Sequence, residues 1–111
     1  MEVPHVCQIQ VVHSDRDALQ RIVDDLLERR LIACGQLLGP IASSFHWQGA
    51  LAHEQEWLAL LKTASAHAAR VQARVRELHT YEVPEVLVSE LSGGDPDYLR
   101  WVLEATGTQA G

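Results

Sequence analysis

The chain has 111 residues, 47% apolar and 22% charged, which fits one domain over residues 1–111 and puts the chain in the globular class, not the disordered one. A formal net charge of −6 leaves no basic face for phosphate neutralisation, so nucleic acid is not an expected partner, and Arg70, Arg74 and Arg76 read as the solvated side of a helix. The opening MEVPHV lacks a signal-peptide pattern and no apolar run reaches the ~18 residues of a membrane span, so a cytoplasmic chain with no membrane contact is expected.

His5 to His13 reads as a strand with neither face wholly apolar, as expected where a subunit contact covers one side. Cys7 in this strand and Cys34 beyond it make no CxxC pair, and both are expected to be reduced and buried. Ser14-Asp15-Arg16-Asp17 supplies a side-chain oxygen to cap a helix with the stripe Leu19, Ile22, Val23, Leu26 and Leu27. Leu31 to Thr63 then holds two apolar runs on either side of Gln48-Gly49, the pattern of an antiparallel hairpin. Its outgoing arm, Ile32 to Trp47, would reach on the order of 50 Å if straight. A domain of about 110 residues is only roughly 35 Å across. The hairpin must therefore bend, at Gly39-Pro40, or project. Phe45, Trp47 and Leu51 at its tip call for a neighbour, which points to an oligomer.

Ser65 is the expected cap of a second helix, with the stripe Ala68, Val71, Val75 and Leu78, ending near His79. Val86-Leu87-Val88 reads as a fourth strand and Gly93-Gly94 as its break. Asp95-Pro96 opens a third helix whose inner side is read as Tyr98, Trp101, Val102 and Ala105, and residues 106–111 as a frayed tail. This order gives an α+β, ferredoxin-like split βαβ sandwich (β-α-β-β-α-β plus a C-terminal helix). Its antiparallel sheet carries helices on one face and a long projecting hairpin.

Five segments carry a resemblance. LHTYEVPEV (Leu78 to Val86), Ala33-Cys34, Ser44 to Gly49, Glu56 to Thr63 and Gly94 to Trp101 are similar, in the same order, to the HPYEVPEI, AAC, SxYxWxGK, ExxLxxKT and GxxDYLxW segments of the CutA family of divalent-cation tolerance proteins. The likeness spans residues 6–103. It implies a ferredoxin-like homotrimer in which long hairpins wrap neighbouring subunits, and Cu(II) or similar ions bound by some members. Where metal-binding members can carry a first-strand cysteine and a second histidine, this chain has Val11 and Leu78, leaving His79 of that set. Thr80, Phe45 and Ala50 replace the family's usual proline, tyrosine and lysine.

His79, with Glu82 and Glu85 close by, has the donor chemistry for Cu(II) or Zn(II); alternatively it caps the last helix carbonyls. Cys34 is a soft candidate metal ligand or a packing thiol. His5 and Cys7, two apart on a strand, share a face but lack a third ligand, and His13, His46, His53 and His67 read as surface residues. The resemblance places Lys62 near Tyr81, Glu82 and Glu85 of an adjacent subunit, as an intersubunit cleft for a small ligand or as an ion pair. Phe45 and Trp47 read as interface anchors, and Trp101 as a packing anchor. No catalytic signature is present, so no enzyme is expected. Divalent-cation tolerance with weak Cu(II) binding is the first expectation, and a trimeric metabolite-sensing regulatory module the second.

Overall fold

Four strands, β1 (Val6–His13), β2 (Cys34–Trp47), β3 (Ala50–Ala64) and β4 (Val86–Glu90), form one antiparallel sheet in the order β2-β3-β1-β4. Helices α1 (Arg16–Glu28), α2 (Ala68–Leu78) and α3 (Pro96–Ala105) complete the chain in this computed structural model, which describes residues 5–107. The α+β split βαβ plan is therefore as the sequence implies. The expected frayed tail falls mostly at residues 108–111, outside the described residues.

Alternation along β1 sorts the two sheet faces. Cys7, Ile9 and Val11 are fully buried beneath α1 and α2, packed with Leu19, Leu26, Val71 and Val75. On the other face α3 covers only one end, where Leu99, Val102 and Leu103 meet Val6 and Ala64. Beyond α3 that second face lies open: Leu38 and Leu87 are 44% and 55% exposed, and Leu58 and Leu60 are half-buried. Strand register places all four on it.

The hairpin turns at Gln48 (φ 50°) and Gly49 (φ 79°), and two successive left-handed residues are what a tight two-residue hairpin loop needs. Its ladder slips between Leu38 and Ile41, around Gly39-Pro40, where proline removes a donor. Past that point the arms continue without help from any helix, and the molecule measures 50 × 26 × 22 Å. It both bends and projects.

Asp15, within the capping stretch read from the sequence, caps α1 and accepts from the Ala18 N–H. Three local readings are corrected. Leu27 is 39% exposed because α1 buries only Leu19, Ile22, Val23 and Leu26. Ser65 does not cap α2: its hydroxyl donates to Glu90 across the sheet, and a short 3-10 turn, Ser65–His67, leads into the helix. The inner side of α3 is Leu99, Val102 and Leu103, with the Tyr98 and Trp101 rings tilted against each other outside, at 42% and 45% exposure. Trp101 is thus no packing anchor within this chain.

Candidate functional site

Where α2 ends, His79 turns into extended backbone and its ring swings under the end of β1. Its Nε2 donates to the Val12 carbonyl at 2.7 Å, and its Nδ1 accepts from the Tyr81 N–H at 3.1 Å. A carbonyl can only accept and an N–H can only donate, so this imidazole is neutral with its proton on Nε2. It bonds forward to β1 and does not cap the carbonyls of its own helix. His13 stacks on it with ring centroids 4.3 Å apart, and the Tyr81 ring closes the group edge-on at 4.5 Å from His79.

His13 is 2% exposed, which corrects its reading as a surface residue. Its Nδ1 accepts from the Asp15 N–H, and its Nε2 bonds to the Thr80 hydroxyl. Burial, and then the neighbouring His79, lower its pKa below the ordinary histidine value. Of the other histidines expected at the surface, His46 and His53 are exposed and His67 is half-buried, bonded to Arg70 and the Thr106 carbonyl.

Beside this ring group the open sheet face meets the Tyr81–Glu85 loop and forms a groove of about 640 Å³. Its lining includes Phe45, Trp47 and Tyr81 together with Glu54, Glu56, Glu82 and Glu85, and no lysine or arginine. Glu56 is 6% exposed and accepts the Tyr81 hydroxyl at 2.9 Å. Burial, with Glu56 beside it, raises the Tyr81 pKa. Gln10 donates to Glu85 at 2.7 Å and so ties the loop to β1. The Tyr81–Glu56 bond joins positions 25 apart, and nothing in the spacing of residues announces it.

The predicted residues separate into two places. Tyr81, Glu82, Glu85, Phe45 and Trp47 line the groove, with His79 just behind it. Cys34 pairs across the ladder with Lys62, whereas His79 is tied to Val12, which pairs with Leu58. Four residue steps along β3, roughly 13 Å, separate the two places. Lys62 instead donates to Gln36, and Cys34 adjoins Tyr98 of α3. Cys7 is buried as expected, whereas Cys34 is only half-buried. Cu(II) favours imidazole with carboxylate or thiolate. The donors here do not form a ready coordination set: both His79 nitrogens are engaged, and no cluster of three His, Cys, Asp or Glu able to hold a metal occurs among the described residues. No helix among them is long and apolar enough to cross a membrane.

Comparison with known proteins gives one answer. The family model for the CutA1 divalent ion tolerance protein matches residues 7–105. The divalent-cation tolerance protein CutA of Pectobacterium atrosepticum is 39% identical over 88 residues, covering 79% of this chain and 80% of that one. Its counterpart in Thermus thermophilus is 35% identical over 99 residues, 89% of this chain and 96% of the relative. The solved Thermus thermophilus structure superposes with a TM-score of 0.88 at 31% identity, over 92% of this chain and 99% of that one. The periplasmic divalent cation tolerance protein CutA of Archaeoglobus fulgidus does so with 0.88 at 29% identity, over 91% and 98%. By sequence and by fold, this chain belongs to the CutA1 divalent ion tolerance family.

Proposed function

We propose that this chain serves divalent-cation tolerance as a non-catalytic, cytoplasmic homotrimer that meets Cu(II), or a similar ion, weakly near its subunit seams. The observation that carries the reading is the open sheet face. Leu38, Leu87, Phe45 and Trp47 all lie on it, and only its far end is covered by α3. An apolar face of this extent matches a second copy of the same chain better than water. The groove sits along the same face, so a neighbour seated there turns it into an intersubunit cleft. Lys62 of the partner subunit is the cation such a cleft of carboxylates calls for.

Weak binding follows from the bonds of His79. An ion approaching either ring nitrogen must displace the Val12 carbonyl or the Tyr81 N–H, and that displacement offsets much of the coordination energy. Each relative named above carries a divalent-ion tolerance name, which favours this reading over metabolite sensing.

Light scattering tests the assembly, and Cu(II) titration tests the metal. A particle of three times 12.3 kDa at micromolar concentration is expected, and a monomer would overturn the trimer. Glu82→Gln with Glu85→Gln, and separately His79→Ala, are expected to weaken the cleft binding event. Unchanged titrations in both would remove the ion from the cleft.

A further inference from the structure

The hairpin's other face, on the helix side of the sheet, carries a pair of histidines that the groove does not use. Ser44 pairs with His53 and His46 with Leu51, so Ser44, His46 and His53 project from one side, opposite to Phe45 and Trp47. His46 and His53 are diagonal cross-strand neighbours, a relation of roughly 7–8 Å that ring side chains can span. Both are exposed. The two-residue turn at Gln48-Gly49 pins the register, so the pair stands on strands and not on a loose loop.

One ring is already oriented. His53 Nδ1 lies 3.0 Å from the Ser44 hydroxyl oxygen. When the ring donates this bond, its Nε2 is left with a free lone pair, the arrangement in which an outer hydrogen bond fixes a metal-binding imidazole. We propose that His46 and His53 form a two-imidazole site for a borderline divalent ion, Zn(II) or Cu(II), near the hairpin tip, with Ser44 positioning His53 and water completing the coordination. Imidazole suits these ions and does not suit Mg(II) or Ca(II). With two protein ligands the site binds modestly and exchanges readily. It lies on the face away from the open sheet surface, so it stays accessible when that surface is covered. The inference deepens the divalent-ion reading and rests on it for the class of ligand, but neither of its ligands lines the cleft; Ser44, which borders the groove, acts only by orienting His53.

The test is Zn(II) titration of the whole chain at about pH 7.5, followed through the histidine ring resonances, with Cu(II) electron paramagnetic resonance as a second readout. The His46 and His53 ring signals should move together, and Cu(II) should show nitrogen hyperfine structure. His46→Gln or His53→Gln should each weaken this event at least tenfold, and Ser44→Ala roughly tenfold as an orienting partner. His79→Ala should leave it unchanged. Acidifying the buffer should weaken the event, because a metal-ligating imidazole must be deprotonated. Both substituted side chains are exposed, and an unaltered circular dichroism spectrum confirms that each variant folds. Still ring signals for His46 and His53, or equal binding by the double variant, would overturn the site while leaving the cleft reading standing. Loss of binding only in His79→Ala would overturn it too, and would favour the cleft.

Discussion

A carboxylate that gives up water needs a partner, and Glu56 finds one in the Tyr81 hydroxyl. Tyr81→Phe removes that donor while keeping the ring against His13 and His79, so the cost is that of a buried acceptor left short, about 1–3 kcal/mol. Urea denaturation of the variant against the parent measures it. His13 makes a separate prediction with a definite sign. Its folded pKa is lowered, first by burial and then by His79, so the unfolded chain takes up the proton at higher pH than the folded one. Stability from this residue is full above the ordinary histidine value near 6.5 and declines as pH falls through it. Denaturation midpoints collected between about pH 8 and pH 5 should decline, and His13→Gln should flatten the curve. The burial of His13 and the pairing of Glu56 both depend on elements far apart in the chain. HVCQIQVVH shows a strand, but not which strands lie on either side of it, and ExxLxxKT marks Glu56 without naming Tyr81.

Whole elements were far more legible. Each strand and helix follows from its own period, and the hairpin turn falls at Gln48-Gly49 because two adjacent residues there can take positive φ. α3 is the instructive exception. Tyr98, Trp101 and Val102 have helical spacing, yet the sheet takes Leu99, Val102 and Leu103, because the aliphatic side chains fill the end above Val6 and Ala64. Both stripes satisfy the same period, and only the surface beneath chooses between them. Ser65 went to Glu90 for a similar reason: a capping residue is also a hydroxyl, and a carboxylate lay across the sheet. At this scale Gly35 allows β2 to approach α1 closely. A Cβ there would lie 2.6 Å from Val23 Cγ1 and 3.2 Å from Leu61 Cδ2. Gly35→Ala should therefore destabilise by about 1–3 kcal/mol through overpacking, visible as a lower thermal midpoint. Gly49→Ala meets no side chain, and its smaller penalty comes from backbone at φ +79° alone.

For the molecule as a whole, the two faces of the hairpin make the assembly testable with a pair of charge substitutions, one on each side. Under the proposed trimer, Leu87→Asp places a charge on the open sheet face and should shift the sedimentation profile toward smaller particles. Leu51→Asp is a control on the opposite face, beside the histidine pair and 70% exposed, and should leave the profile as it was. Equal behaviour of the two variants would mean that the open face is not where copies meet. The projecting hairpin was visible from length alone, since an arm of that span does not fit inside so small a domain. A sheet face free of helices was also implied by the plan, but not which residues line it, because those are set only once four strands are in order.

That order has a consequence for synthesis. β1 is made first yet ends up in the interior of the sheet, paired with residues 57–64 on one side and 86–90 on the other. A growing chain can close the helix that follows β1 early, but its first strand waits with both edges bare until most of the polypeptide has left the ribosome. During that interval the segment Val6–His13 is sticky and templating, and a message cut short before Val86 would leave one edge exposed for good. Stalled or truncated products of this gene should therefore need chaperones or proteases more than the finished protein does.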